Sequence, residues 1–120
     1  MVLAERKLST SIEIFEKNCS DIIIKKELNL RMKRVKFQLV DGIVVYIQYN
    51  NYGQYSYSVI FSSHEQDLCR FDNYDDHWPV ASAPHHFHQR GVHEPKSSEM
   101  IGVPDQDIPK LTRFLLKNLK

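Results

Sequence analysis

Alternation of apolar and polar residues over positions 35–61 most constrains what this chain can fold into. Successive side chains of a β-strand point to opposite faces, so alternation is typical of a sheet with one buried and one solvated face. Asp41-Gly42 interrupts the pattern as a hairpin turn, because Gly accepts the positive φ of a two-residue turn, and residues 50–53 give a second turn. We therefore predict antiparallel strands near residues 22–28, 35–39, 43–49, 55–61 and 67–73.

Two amphipathic helices are predicted on either side of this sheet. Residues 3–18 place Leu8, Ile12 and Phe15 on one face, and residues 106–119 carry a second apolar stripe. Asp105 or Asp107 is the expected cap of the second helix, whose first turn would contain Pro109. Between 74 and 104 four prolines break the periodicity, which predicts a long His-rich loop at 72–93.

The predicted fold class is therefore α+β, in one domain spanning residues 1–120. Its expected order is an N-terminal helix, an antiparallel meander of four or five strands, the His-rich loop and a C-terminal helix, packed as a two-layer sandwich. A chain of 120 residues with 42% hydrophobic and 26% charged residues can bury one core, which excludes a disordered class.

The sequence shows no targeting signal, and we therefore expect a cytoplasmic protein. No apolar stretch approaches the roughly 20 residues that cross a bilayer, and the N-terminus has no apolar signal-peptide region. Cys19 and Cys69 lack CxxC spacing, so we expect buried thiols in a reducing compartment.

Charge alone does not identify a nucleic-acid binder, since the net charge is only +1. One basic cluster either contacts phosphates or an acidic partner, or occupies solvated positions on two strands; its members are Lys25, Lys26, Arg31, Lys33, Arg34 and Lys36. Tyrosines on the central strands either form cross-strand aromatic pairs or, where exposed, stack bases; these are Tyr46, Tyr49, Tyr52, Tyr55 and Tyr57.

Histidine is concentrated in the predicted loop. Five of the six histidines lie between residues 77 and 93, namely His77, His85, His86, His88 and His93. In an extended segment His86-Phe87-His88 brings two imidazoles to one side, where they can act as base and acid in proton transfer or as ligands of a metal such as zinc. The alternative is that each histidine fixes the loop through hydrogen bonds to backbone groups.

Known metal and nucleotide motifs are missing from the sequence. No spacing matches a zinc finger, an HExxH helix or an EF-hand, so a metal site would use His77, His86, His88 and His93 without a familiar pattern. There is no G-x-S-x-G elbow, which argues against a serine nucleophile. There is no glycine-rich phosphate loop, which excludes an NTPase or a dinucleotide enzyme. Asp72 and Asn73 are expected to bind backbone amides of a turn, or Asp72 to orient an imidazole.

Two His-bearing blocks resemble a known family. The blocks are Arg70-Phe71-Asp72-Asn73 followed by His77, and Pro84-His85-His86-Phe87-His88, in a chain with the Asp41-Gly42 hairpin, Tyr55-Ser56-Tyr57 and a closing helix. Together they resemble the TumE-type toxins of prokaryotic type II toxin–antitoxin pairs over about residues 8–119. The first block departs from the family pattern, with Tyr74-Asp75-Asp76-His77 where Ala-Pro-His-His is usual.

The resemblance implies a growth-inhibiting toxin paired with a helix-turn-helix antitoxin. From the residues we hypothesise a metal-independent ribonuclease without a membrane partner. Its candidate catalytic residues are His86, His88, His77, Asp72 and Arg70, and its candidate substrate-binding residues are Arg90, Asn73 and His85. Two alternatives remain open: a non-catalytic binding module, and a hydrolase or binding protein that holds zinc or another divalent metal.

Overall fold

A computed structural model describes residues 3–74, 80–92 and 94–119. Within these ranges the chain forms two helices and seven strands. In chain order they are α1 (Leu3–Cys19), β1 (Ile23–Asn29), β2 (Arg34–Leu39), β3 (Val44–Tyr49), β4 (Tyr55–Ile60), β5 (Leu68–Asp72), β6 (His86–His88), β7 (Lys96–Ser97) and α2 (Pro104–Lys117). The strands lie side by side in that order in one antiparallel sheet, which confirms the α+β class.

Alternating burial along β2, β3 and β4 divides the sheet into two faces, as predicted. The apolar face packs under the helices: Phe15 of α1 stacks on Phe37 of β2 with ring centroids 4.4 Å apart. On the same face, nearer β5 and β6, Phe114 of α2 packs edge-on against the stacked pair Phe71 and Phe87. The helices also contact each other, so one core lies between a helical layer and the inner face of the sheet.

The turn between β2 and β3 has the predicted conformation. Asp41 and Gly42 have φ of 63° and 75°, and the amide of Ile43 donates to the carbonyl of Val40 at 3.4 Å. Two successive positive φ values match the right-handed twist of the flanking strands, which is why this turn fixes the hairpin register.

The sheet has more strands than the four or five predicted. Within the described residues, β6 and β7 come from the segment that was expected to be irregular. They contain three and two residues, too few for an alternating pattern to be recognised among the prolines. His86-Phe87-His88 is therefore a strand beside β5, whereas residues 75–79 and His93 of the expected loop lie outside the described residues.

The start and cap of α2 were predicted incorrectly. Pro104 occupies the first helical position, and Val103 precedes it without any side-chain cap. Asp107 is instead buried and accepts the amides of Ile101 and Gly102 at 3.0 and 2.7 Å. Because α2 begins earlier than expected, Pro109 lies in its second turn. Neither of these two described helices is long and apolar enough to cross a membrane.

Candidate functional site

Register between β5 and β6 brings four predicted site residues to one face of the sheet. Asp72 lies opposite His86, and Arg70 lies opposite His88. Phe71 and its partner Phe87 point to the helical layer, so the four polar side chains lie on the outer face. We refer to Arg70, Asp72, His86 and His88 as the Asp72 cluster.

The carboxylate of Asp72 is the centre of this cluster. It is only 3% exposed, and its Oδ2 accepts a hydrogen bond from Nε of Arg70. Its Oδ1 lies 3.6 Å from Nδ1 of His86 and 3.9 Å from Nε2 of His88. One carboxylate therefore faces a guanidinium on one side and two imidazoles on the other.

The two imidazoles differ in exposure. His86 is 0% exposed, and neither of its ring nitrogens has a hydrogen-bond partner among the described residues. The side chain of His88 is 17% exposed, and its ring centroid lies 6.1 Å from that of His86. Of these two imidazoles, only His88 has surface available to a bound molecule.

An open groove of about 230 Å³ runs beside the cluster. Arg70, His88 and Gln89 line it, and the side chain of Arg70 is 44% exposed. A ligand in this groove would therefore meet a cation held by Asp72 and an imidazole facing the same carboxylate. That combination suits an anionic group that undergoes proton transfer.

The cluster also has a composition that suits a metal. One ligand atom from each of Asp72, His86 and His88 lies within 4.8 Å of the other two. Two imidazoles and a carboxylate are a common ligand set for zinc and similar transition metals.

Asn73 and His85 are held away from the cluster. Asn73 accepts the amide of Tyr55 at 2.9 Å and donates to the carbonyl of Gly53 at 3.0 Å, so it joins the end of β5 to the β3–β4 hairpin. His85 stacks on Tyr55, and its Nδ1 is 2.9 Å from the phenolic oxygen. Because Tyr55 belongs to the buried inner face, His85 lies on the opposite side of the sheet from His86.

Arg90 belongs to a separate ion pair. Its Nε donates to Asp67, and its guanidinium lies 4.2 Å from the ring centroid of Phe61. Hydrogen bonds from Arg90 and from Ser62 lower the pKa of Asp67. Arg70, not Arg90, is the arginine paired with Asp72. His77 and His93, the other predicted catalytic or metal-binding histidines, lie outside the described residues.

A row of side chains links the basic cluster to this site. Across the outer face, Lys36, Tyr46, Ser58, Arg70 and His88 are consecutive cross-strand partners from β2 to β6. Arg34 joins the row at its far end, with its guanidinium 4.8 Å from the centroid of the Tyr46 ring. Sequence reasoning named most of these residues separately and missed their alignment, because alignment depends on the registers of four strand pairs.

Burial decides between the two interpretations of the tyrosines. Tyr49, Tyr55 and Tyr57 are buried, so they cannot stack on bases. Tyr49 contacts Tyr57 across the β3–β4 pair, and Tyr55 contacts Tyr57 along β4. Tyr46 lies on the outer face beneath Arg34 and Lys36, and Tyr52 is exposed in a turn.

Comparison with known proteins identifies the family. A family model described as toxin TumE matches residues 2–118 of the 120-residue chain. No curated protein and no solved structure gave a significant match. The matched span includes both His-bearing blocks and every described element, and on this basis the chain belongs to the TumE toxin family.

Proposed function

We propose that this toxin is the growth-inhibiting component of a type II toxin–antitoxin pair and that it cleaves RNA in the cytoplasm. The observation that carries the proposal is the geometry of Asp72, whose carboxylate holds Arg70 and faces His88 at the edge of an open groove. A helix-turn-helix antitoxin is the proposed partner, on the sequence resemblance alone.

Cleavage of RNA without a metal needs a base for the 2′-hydroxyl proton, an acid for the leaving oxygen and a cation for the phosphate. We assign the base to His88, whose Nε2 faces Asp72 and whose ring is partly exposed beside the groove. Asp72 would stabilise the imidazolium that forms when His88 takes the proton. Arg70 would bind the phosphate through guanidinium nitrogens other than Nε, which donates to Asp72.

His86 takes a different role from the one expected for a base–acid pair. A side chain with no exposed surface cannot touch RNA in the groove, so we assign His86 to positioning through Asp72. His77 is a candidate catalytic residue on the sequence pattern alone, and we propose it as the acid for the leaving oxygen.

The row across the outer face supports RNA as the substrate. Strands lie about 4.8 Å apart, so Lys36 on β2 and Arg70 on β5 are separated by about 14 Å. That distance spans two to three nucleotides of an extended strand, with cations at both ends of the row. We propose that Arg34 and Lys36 bind phosphates away from the scissile bond.

The test is induction of the wild type and single variants in a bacterial host, followed by growth and by the integrity of total RNA. His88→Ala should abolish growth arrest and RNA loss, whereas His64→Ala should retain both, because His64 is exposed in the β4–β5 turn and outside the cluster. Circular dichroism and thermal melting would establish that both variants fold. Growth arrest by folded His88→Ala with degraded RNA would disprove the assigned base, and arrest by wild type with intact RNA would favour a non-catalytic binding module.

A further inference from the structure

His86 is a buried polar side chain that the proposed reaction does not use directly. Burial of a polar nitrogen without a hydrogen bond is unfavourable, and buried polar groups are therefore nearly always satisfied. Neither ring nitrogen of His86 has a partner among the described residues, yet Nδ1 points toward Oδ1 of Asp72 at 3.6 Å. A ligand shared between these two atoms would satisfy Nδ1 of the imidazole.

Distances within the cluster are close to those of a metal site. Ligands about 2.0–2.1 Å from a tetrahedral zinc ion lie about 3.4 Å from each other. Oδ1 of Asp72 is 3.6 Å from Nδ1 of His86 and 3.9 Å from Nε2 of His88. These two separations are within about 0.5 Å of tetrahedral spacing, and all three ligand atoms lie within 4.8 Å of one another.

We propose that Asp72, His86 and His88 bind a divalent transition-metal ion of the zinc class. Two imidazoles select zinc, cobalt, nickel or copper over magnesium and calcium, which prefer oxygen ligands. Arg70 would fix the orientation of the ligating carboxylate through Oδ2, as residues that contact metal ligands commonly do.

Metal binding and the proposed reaction compete for the imidazole of His88. The inference drawn from this competition rests on the proposed function. A neutral imidazole has one nitrogen lone pair, so ligation through Nε2 of His88 leaves the ring proton on Nδ1 and no nitrogen free to accept the 2′-hydroxyl proton. The metal-loaded chain cannot use His88 as a base. We infer that zinc inhibits this toxin at its own reaction centre.

Titration of the purified full chain with Co²⁺ tests the site without any assay of activity. Visible absorption of tetrahedral Co²⁺ and calorimetry with Zn²⁺ should both report one ion per chain. Asp72→Asn and His88→Ala should each weaken binding at least about tenfold, because each removes one of the three ligands. His64→Ala is the matched control and should bind as the wild type does.

Substitution of the buried His86 risks unfolding, so His88→Ala, which changes a partly exposed side chain, keeps the test decisive. Equal affinity in wild type and in folded His88→Ala and Asp72→Asn would overturn the proposed site. Because RNA is absent from this experiment, its result is separate from that of the proposed function. If the chain binds Co²⁺ but leaves RNA intact, the proposed metal site is supported and the proposed ribonuclease activity is rejected.

Discussion

Asp72 and His86 are direct cross-strand partners, and Oδ1 of the carboxylate lies 3.6 Å from Nδ1 of the buried imidazole. The same Oδ1 lies 3.9 Å from Nε2 of His88, and Arg70 occupies Oδ2. A single carboxylate thus connects the proposed base, the proposed phosphate contact and the proposed metal ligands. Loss of its negative charge should therefore weaken both RNA cleavage and metal binding.

Asp72→Asn should impair RNA cleavage and metal binding together. The amide keeps the shape of the side chain but loses the negative charge that would stabilise an imidazolium or a cation. We expect the cleavage rate to fall about 100-fold, measured on purified protein with a defined RNA. Asp67→Asn is the matched control, since Asp67 is likewise paired with an arginine but lies outside the cluster, and its rate should stay within about twofold. A normal rate in Asp72→Asn would show that the carboxylate takes no part.

EDTA and added Zn²⁺ should affect RNA cleavage in the opposite way to that expected for a metal-dependent nuclease. Cleavage should persist in EDTA, because His88 acts as the base without a metal, and added Zn²⁺ should suppress it by occupying Nε2 of His88. Mg²⁺ is the control ion and should not inhibit, since it prefers oxygen ligands. Loss of cleavage in EDTA, with recovery on addition of Zn²⁺, would make a metal-bound water the reactive group and disprove the role of His88.

Much of the fold was predictable because local patterns and packing agree over residues 3–72. Alternation sets the inner face, and the Asp41-Gly42 turn sets a register that places Phe37 under Phe15. The pattern failed at β6 and β7, since strands of three and two residues carry too little periodicity to compete with nearby prolines. The misplaced cap of α2 has a similar cause, because an Asp near a helix start reads as a cap whether its carboxylate is exposed or buried.

The candidate site residues could be named from the sequence, but their arrangement could not be predicted from it. Alternate positions in His86-Phe87-His88 correctly indicated two imidazoles on one side, and their pairing with Arg70 and Asp72 required the β5–β6 register. Sequence cannot show that His86 is buried and His88 partly exposed, since the two histidines flank the same Phe87 and alternation places them on the same side. The assignment of His85 failed to anticipate a strand in which adjacent residues face opposite sides.

Substitution of the distant cations should weaken RNA binding without changing the chemical step. In Arg34→Gln/Lys36→Gln we expect KM to rise and kcat to stay constant, because these residues lie about 14 Å from Arg70 across the sheet. The dependence of binding on salt should also become shallower, as fewer counterions are released. Lys17→Gln/Lys117→Gln, at exposed positions in the last turns of α1 and α2, also removes two positive charges and is the control for charge. An equal change in KM for both variants would indicate non-specific attraction and contradict the proposed row.

Both thiols should be unreactive in the folded chain. Burial raises the pKa of Cys19 to about 11 and that of Cys69 to about 12, so little thiolate exists near neutral pH. A disulfide-exchange reagent at about pH 8 should label neither cysteine until denaturant is added, and then both. Rapid labelling of one thiol before unfolding would show that the packing around that cysteine is looser than described.

A buried chain of hydroxyl groups should contribute strongly to stability. Burial raises the pKa of Tyr57 far above its usual value, so its hydroxyl stays protonated and donates to Asp107 at 2.7 Å. Since that proton is used, Tyr49 must donate to Tyr57 at 3.1 Å, and Ser11 must donate to Tyr49 at 2.6 Å. The chain of hydrogen bonds runs from α1 through β3 and β4 to α2.

Tyr57→Phe removes the central hydroxyl of this chain. It deletes a hydrogen bond to a buried carboxylate and leaves Tyr49 without its acceptor, so we expect the free energy of unfolding to fall by about 2–3 kcal/mol. Urea denaturation measures this, with an unchanged m-value as evidence that the fold is retained. Tyr52→Phe removes the same atom at a position 89% exposed and should change stability by less than about 0.5 kcal/mol. Equal stability of the two variants would mean that the buried hydrogen bonds contribute nothing beyond those that the hydroxyl makes with water.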